Sequence, residues 1–135
     1  MKISYVIEDF SVCGGIERIV SRKASILAAR YGHDVTIISV YEDDRPIRYP
    51  LDGSIKTIRL HVPFTEKTTN HGLMSLRRVK TLILAASRLN KALKTTEPDI
   101  VFFTTTLSAL LLPLCRTKAK TIFESHLARK FTPYN

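Results

Sequence analysis

The chain of 135 residues carries a formal net charge of +9, from 21 Lys and Arg against 12 Asp and Glu. This length is typical of one domain with a proper core, and 44% hydrophobic residues is ordinary for a soluble globular protein. No apolar run reaches the roughly 18 residues that cross a bilayer, and the first residues show no signal-peptide core, so we expect a cytoplasmic protein.

The positive charge is concentrated in the second part of the sequence. Residues 1–50 hold seven basic and seven acidic side chains, whereas residues 51–135 hold fourteen basic and five acidic ones. Between Glu66 and Glu97 there are seven Lys or Arg and no acid. Such a block suits a phospholipid surface or a phosphate-linked substrate. We do not expect nucleic acid as a partner, because Trp is absent and the few aromatic residues are not interleaved with the basic block.

The first part of the chain predicts a β–α–β unit. Residues 2–8 form a short apolar strand, and residues 16–31 form an amphipathic helix that Gly32 ends. The β-branched run 35–40 is typical of a buried parallel strand, and a right-handed crossover places it beside the first strand. The apolar face of the helix is predicted to comprise Ile16, Ile19, Val20, Ala24, Leu27, Ala28 and Tyr31.

Two adjacent glycines, Gly14 and Gly15, lie between the first strand and this helix. Glycines allow an anion to approach backbone N–H groups closely, and the start of the helix adds the positive end of its dipole. Glycines at this place are equally common in α/β loops that simply turn tightly. The pair alone therefore leaves both an anion site and a plain turn open.

The rest of the chain predicts three more strands, at residues 55–62, 99–103 and 120–124. A long helix over residues 73–94 precedes the second of these, and a short apolar helix over residues 107–112 precedes the third. Strands and helices mostly alternate. We therefore expect an α/β fold: a Rossmann-like, doubly wound, mostly parallel sheet of about five strands in three α/β/α layers.

The long helix is predicted to have an apolar face and a basic face. The apolar face comprises Val79, Leu82, Ile83, Ala86, Leu89 and Leu93, and the opposite face carries Arg77, Lys80, Arg88 and Lys91. Arg78 is a further candidate for contact with an anion or a membrane. Leu84 lies among the basic residues. Two interpretations stay open: the solvated outer side of an ordinary surface helix, or a surface that lies against anionic lipid with Leu84 inserted.

Polar residues follow the predicted strands at their carboxyl ends. Thr104 and Thr105 follow the fourth strand, and Ser125 and His126 follow the fifth. Open α/β sheets bind ligands in the crevice outside these ends, so we expect these residues to line one crevice with the glycine loop. For His126 alone, a loop histidine at the end of a strand is the simpler interpretation.

Four pieces of the sequence resemble the amino-terminal domain of family 4 retaining glycosyltransferases with the GT-B fold. They are Gly14-Gly15-Ile16-Glu17-Arg18, Tyr31-Gly32-His33-Asp34-Val35-Thr36, Pro98-Asp99-Ile100-Val101 and Glu124-Ser125-His126. The resemblance implies transfer of a sugar from a nucleotide-diphosphate donor to a carbohydrate or lipid-linked acceptor, in cell-surface polysaccharide or glycolipid synthesis. It also implies that the amino-terminal domain holds mainly the acceptor.

By position, the resemblance implies that Gly14 and Gly15 bind the donor diphosphate through backbone N–H groups. It implies that His126 acts at the donor sugar as a catalytic residue. Thr104, Thr105 and Ser125 are then expected to line the acceptor crevice. The basic residues of the long helix are expected to hold a lipid-phosphate acceptor or to dock at the inner face of the membrane, which makes the protein peripheral there.

The sequence also departs from that family. No two of its six glutamates have the E-x7-E spacing of the nucleotide-binding half. We expect residues 1–135 to be a single, incomplete amino-terminal domain, inactive alone and prone to self-association at an exposed sheet edge. The alternative is a free-standing α/β module that binds a phosphorylated ligand without catalysis. No cofactor and no metal are expected, because the four histidines are scattered and Cys13 and Cys115 lack ligand spacing.

Overall fold

The structure, a computed structural model, describes residues 1–8, 10, 15–41, 50–62, 71–104 and 111–124, with the backbone alone for residues 71–78 and Leu112. Its helices are α1 (Gly15–Ala29) and α2 (His71–Thr96), and its strands are β1 (Lys2–Ile7), β2 (Asp34–Ser39), β3 (Lys56–Arg59), β4 (Ile100–Phe103) and β5 (Lys120–Phe123). Leu112–Leu114 forms a single 3-10 turn. Most of the short helix predicted over residues 107–112 lies outside the described residues.

The five strands form one sheet in the order β3-β2-β1-β4-β5, and every neighbouring pair is parallel. In register, Ile3 lies opposite Val35 of β2 on one side and opposite Ile100 of β4 on the other. The predicted fold class is confirmed, and so is the placement of β2 beside β1. Strands β2 and β3 lie on one side of β1, whereas β4 and β5 lie on the other. The point between β1 and β4, where the strand order changes sides, is the switch point at which such sheets bind ligands.

Alternate side chains of the central strand face opposite layers. Tyr5 belongs to a core cluster with Val20 and Ala24 of α1, whereas Val6 belongs to a second cluster with Leu89 of α2. All of these side chains are buried. Because successive strand residues point to opposite faces, α1 covers one face of the sheet and α2 covers the other, which gives the three predicted layers.

The buried face of α2 differs from the predicted one. Val79 and Ile83 are 51% and 60% exposed, whereas Ala85 and Ala92 are buried on either side of Leu89. The prediction was wrong for Val79 and Ile83 because α2 packs on the sheet partly through small side chains, which a pattern of large apolar residues does not reveal.

The buried face of α1 is shifted in the same way. Ser21 is buried there, while the predicted core residues Ile19 and Tyr31 are exposed. Ile26, on the outer side of the helix, is also exposed. The prediction was therefore wrong for Ile19 and Tyr31. Within the described part of the chain, no helix is long and apolar enough to span a membrane.

Candidate functional site at the carboxyl edge of the sheet

The residues that follow β1, β4 and β5 lie side by side at the carboxyl edge of the sheet. The backbone N–H of Thr104 donates to the carbonyl of Val6 at 3.2 Å, and the N–H of Glu124 donates to the carbonyl of Phe103 at 2.9 Å. These bonds continue the strand register one residue beyond β4 and β5. The edge is therefore held rigidly at the switch point between β1 and β4.

The loop after β1 is fixed at its start by the end of β2. The backbone N–H of Phe10 donates to Oγ of Ser39 at 3.0 Å, in a buried position. The N–H of Tyr41 donates to the carbonyl of Glu8 at 2.7 Å. Burial, and then the charge of Glu8, raise the pKa of Tyr41, so its phenol stays neutral. These contacts fix Glu8 and Phe10 beside the end of β2.

The first turn of α1 borders open space. Gly15 is exposed, and a Cβ atom added to it would meet no heavy atom of the described residues within 4 Å, apart from its chain neighbours and the backbone of its own helix. The first N–H groups of a helix have no partner within the helix, and the helix dipole makes this end positive. Gly15 therefore leaves room for an anion at the N-terminal end of α1, and the positive end of the helix dipole attracts anions there.

Thr104 lies at the predicted edge, but its side chain forms a hydrogen bond within the sheet. It is buried, and its hydroxyl donates to the carbonyl of Val6 at 3.0 Å. Thr104 thus connects the carboxyl ends of β1 and β4 beneath the candidate site. Its role in holding an acceptor stays a prediction.

Four other predicted site residues lie outside the described residues: Gly14, Thr105, Ser125 and His126. The structure places Gly15 and Thr104 at one edge of the sheet, as the parallel topology requires, and makes no statement about the other four. Their predicted roles, including that of His126 as the catalytic residue, remain predictions.

A contact between α1 and the end of β5 was not predicted from the sequence. Nζ of Lys23 lies 3.3 Å from Oε2 of Glu124. Tyr5 lies beneath, with its ring stacked on that of Phe102 at a centroid distance of 5.0 Å. Burial, and then the negative charge of Glu124, raise the pKa of Tyr5, so its hydroxyl stays protonated. The position of Glu124 at the carboxyl end of the predicted strand 120–124 was the available signal, but its partner lies 101 residues away.

The described basic side chains of α2 differ in their surroundings. The guanidinium of Arg88 donates to the carbonyls of Leu60 at 2.6 Å and His61 at 3.0 Å, just after β3. Lys80 and Lys91 are exposed, while the side chains of Arg77 and Arg78 lie outside the described set. Arg88 therefore fastens α2 to the end of an edge strand, a role that its place in a basic pattern does not reveal.

Among the described residues, no group of three His, Cys, Asp or Glu side chains could hold a metal ion. The described part of the site therefore consists of backbone N–H groups, the buried hydroxyls that fix the loops, and the pair formed by Lys23 and Glu124. Such an arrangement can bind an anion and position a ligand.

No protein-family model matches the chain, and no curated protein matches it. Among solved structures, sucrose-phosphate synthase from Thermosynechococcus elongatus is similar with a TM-score of 0.65 at 16% identity, over 92% of this chain and 32% of that chain. The apo form of the lipopolysaccharide outer core galactosyltransferase WaaB is similar with a TM-score of 0.62 at 19% identity, over 93% of this chain and 33% of that chain.

Both of these structures are GT-B glycosyltransferases. At such low identity the likeness shows the fold, and this chain has the Rossmann-like α/β fold of one part of each. The chain spans about a third of the length of either one.

Proposed function

We propose that this chain is the amino-terminal, acceptor-side domain of a retaining family 4 glycosyltransferase that uses a nucleotide-diphosphate sugar. The observation that carries the proposal is the structural likeness to two glycosyltransferases over 92% and 93% of this chain. Gly15 supports it, because it begins α1 directly after β1, a strand at the switch point of the sheet, and open space beside Gly15 adjoins the positive end of α1.

In the proposed reaction, the bond between the anomeric carbon and the diphosphate oxygen breaks, and a new bond forms to a hydroxyl oxygen of the acceptor. Negative charge develops on the departing diphosphate oxygen, which takes up the proton that the acceptor hydroxyl loses. N–H groups at Gly14 and Gly15 are proposed to stabilise that charge, since α1 begins at Gly15 and the first N–H groups of a helix have no partner within it. His126 is proposed to contact the sugar near its anomeric carbon.

The acceptor is proposed to lie across the carboxyl edge, beside Thr104, Thr105 and Ser125. A carbohydrate or lipid-linked acceptor fits the excess of basic residues after residue 50. Lys80 and Lys91 are exposed on α2 and are available for an anionic membrane surface. We accordingly place the protein at the cytoplasmic face of a membrane, with a role in cell-surface polysaccharide or glycolipid synthesis.

The test is sugar transfer by the full gene product. UDP-glucose, UDP-galactose, UDP-N-acetylglucosamine and GDP-mannose, each labelled in the sugar, are incubated with lipid and oligosaccharide acceptors. We expect transfer from one donor with retention of anomeric configuration, and a loss of at least about 100-fold in kcat/KM for His126→Ala. The control His33→Ala, at the opposite edge of the sheet, is expected to keep full activity. Equal activity of the two variants would contradict the role of His126.

The 135-residue chain alone is expected to transfer no sugar from any of these donors. Robust turnover by the isolated chain would overturn the proposal that it forms one half of a cleft. Binding of a phosphorylated ligand at the glycine loop, with no transfer by the full gene product, would favour a free-standing binding module instead.

A further inference from the structure

A second concave surface lies at the amino edge of the sheet, opposite the candidate site. We call it the amino-edge groove; it lies between the last turns of α2 and the loop that precedes β5, and encloses about 700 Å³. Its residues come just before β4 and β5, whereas the candidate site comes just after them. Strands of four residues separate the two edges by about 13 Å.

The amino-edge groove carries a strong excess of positive charge. Lys91 and Lys94 line it from α2, Arg116 and Lys118 line it from the loop, and Glu97 is the one acidic residue among the described residues that line it. All five side chains are exposed. Within the described part of the chain, none of the four cations forms an ion pair. The C-terminal end of α2 adds the equivalent of only about half a negative charge, so the groove remains positive.

Backbone contacts hold the loop wall of the groove in place. The side chain of Asn90 accepts from the N–H of Arg116 at 2.7 Å and donates to the carbonyl of Leu114 at 3.1 Å. The N–H of Ala119 donates to Oγ1 of Thr117 at 3.1 Å, which closes a tight turn. Arg116 and Lys118 therefore extend from a wall that is already ordered, which lowers the entropic cost of binding.

The floor of the groove is apolar. It contains Leu93 and Pro98, which are buried, and Ala119, which is half-buried. A membrane-docking surface needs apolar side chains that protrude, and these do not. A track for single-stranded nucleic acid needs aromatic side chains for base stacking, and none of the described residues that line the groove is aromatic. A concave apolar floor with cations at its rim suits a small molecule that has a phosphate group and a flat apolar side.

We infer that the amino-edge groove binds a small phosphorylated metabolite of the size of a nucleotide or sugar phosphate, with its phosphate between α2 and the loop before β5. The inference does not rest on the proposed function, because the groove and the glycine loop lie at opposite edges of the sheet. A ligand bound there leaves the carboxyl edge open, so the groove is suited to regulation by a metabolite.

The test is calorimetric titration of the chain with uridine 5′-monophosphate, glucose 1-phosphate and inorganic pyrophosphate, at about 0.15 M salt so that non-specific attraction is screened. The three probes separate nucleoside phosphate, sugar phosphate and free phosphate as sources. The groove variant is Arg116→Gln with Lys118→Gln. The control is Lys56→Gln with Lys80→Gln, which removes the same charge from exposed positions elsewhere.

We expect at least one probe to bind with a Kd below about 1 mM, and the groove variant to weaken it at least tenfold or so. The control is expected to change the Kd by less than about twofold. Gly15→Val is expected to leave unchanged the binding that the groove variant weakens. This result would separate binding in the amino-edge groove from binding at the carboxyl edge. Urea unfolding of both double variants checks that the fold is retained.

Three results would overturn the inference. One is equal weakening by the groove variant and the control, which would show a response to net charge alone. Another is the absence of binding by all three probes up to about 5 mM. The third is a groove variant that loses binding only to vesicles containing phosphatidylglycerol or to an oligonucleotide, which would make the groove a macromolecular surface.

Discussion

Ser39→Ala is expected to loosen the start of the glycine loop and to destabilise the whole domain. Oγ of Ser39 accepts the backbone N–H of Phe10 at 3.0 Å in a buried position, and both residues are fully buried. Alanine fills nearly the same volume but cannot accept this bond, so the N–H group of Phe10 loses its partner in a buried position. Leaving such a group unpaired costs about 1–3 kcal/mol.

The assay is urea unfolding followed by circular dichroism. A domain of this size has an m-value of about 2 kcal/mol/M, so a loss of about 2 kcal/mol lowers the midpoint by about 1 M. The matched control is Ser21→Ala, because Ser21 is also buried but its hydroxyl donates to the carbonyl of Arg18 within α1. That carbonyl keeps its place in the helix, and alanine favours the helix, so a change under about 0.5 kcal/mol is expected.

The comparison between the two serines decides whether the contact with Phe10 matters. If Ser39→Ala shifts the midpoint no more than Ser21→Ala does, the hydroxyl of Ser39 is not what fixes the loop, and the reasoning is refuted. If Ser39→Ala is destabilising, amide exchange at residues 8–15 is expected to accelerate more than exchange in β4, since the opening is local.

Three other predictions concern α2 and the loop before β5. Arg88→Met removes the two hydrogen bonds to carbonyls after β3 and is expected to lower the free energy of unfolding in urea by about 1–2 kcal/mol. The control Lys80→Met, at an exposed position of α2, is expected to leave it unchanged. Equal effects of the two variants would contradict the contact. Leu89→Ala is expected to cost about 2–5 kcal/mol because Leu89 is fully buried, and a cost below about 1 kcal/mol would show that α2 packs differently. Burial raises the pKa of the Cys115 thiol, so in a Cys13→Ser background its alkylation at pH 8 is expected to be slower than that of glutathione. The buried neutral thiol adds to the free energy of unfolding below about pH 8.5, and this contribution is lost as the pH rises through the folded-state pKa.

The sheet was predictable because its strands are short apolar runs in an alternating order. Strand β3 shows the limit: residues 55–62 were predicted as a strand, whereas regular pairing covers Lys56–Arg59. The N–H of Leu60 still donates to the carbonyl of Ser39, and that of Val62 to the carbonyl of Val40. The apolar pattern thus marked a segment that follows β2 beyond the end of the regular strand.

The helix faces were less predictable because small residues decide how closely a helix approaches a sheet. Ala85, Ala92 and Ser21 are buried although they contribute little to an apolar pattern, and Ile83 is exposed although it contributes much. A pattern of hydrophobicity weighs the size of a side chain and its polarity, whereas packing depends on the space between the two elements.

At the candidate site, topology placed Gly15 and Thr104 at one edge, since parallel strands share their carboxyl ends. The contacts of Arg88 and Lys23 could not be predicted in this way. Arg88 binds carbonyl oxygens that any residue could supply, and Lys23 meets Glu124 across 101 residues of sequence. Such contacts form only when the folded chain brings distant residues together, and they leave no periodic signal in the sequence.

The central claim, that the donor diphosphate binds where α1 begins, is tested most directly by comparing Gly15→Val with Gly53→Val in sugar transfer by the full gene product. At both glycines an added Cβ meets no heavy atom of the described residues within 4 Å beyond the local backbone, and neither has a positive φ, so both variants are expected to fold. We predict a loss of at least about tenfold in kcat/KM for Gly15→Val, whose side chain occupies the space of the diphosphate, and no loss for Gly53→Val. Equal rates in the two variants would contradict the claim.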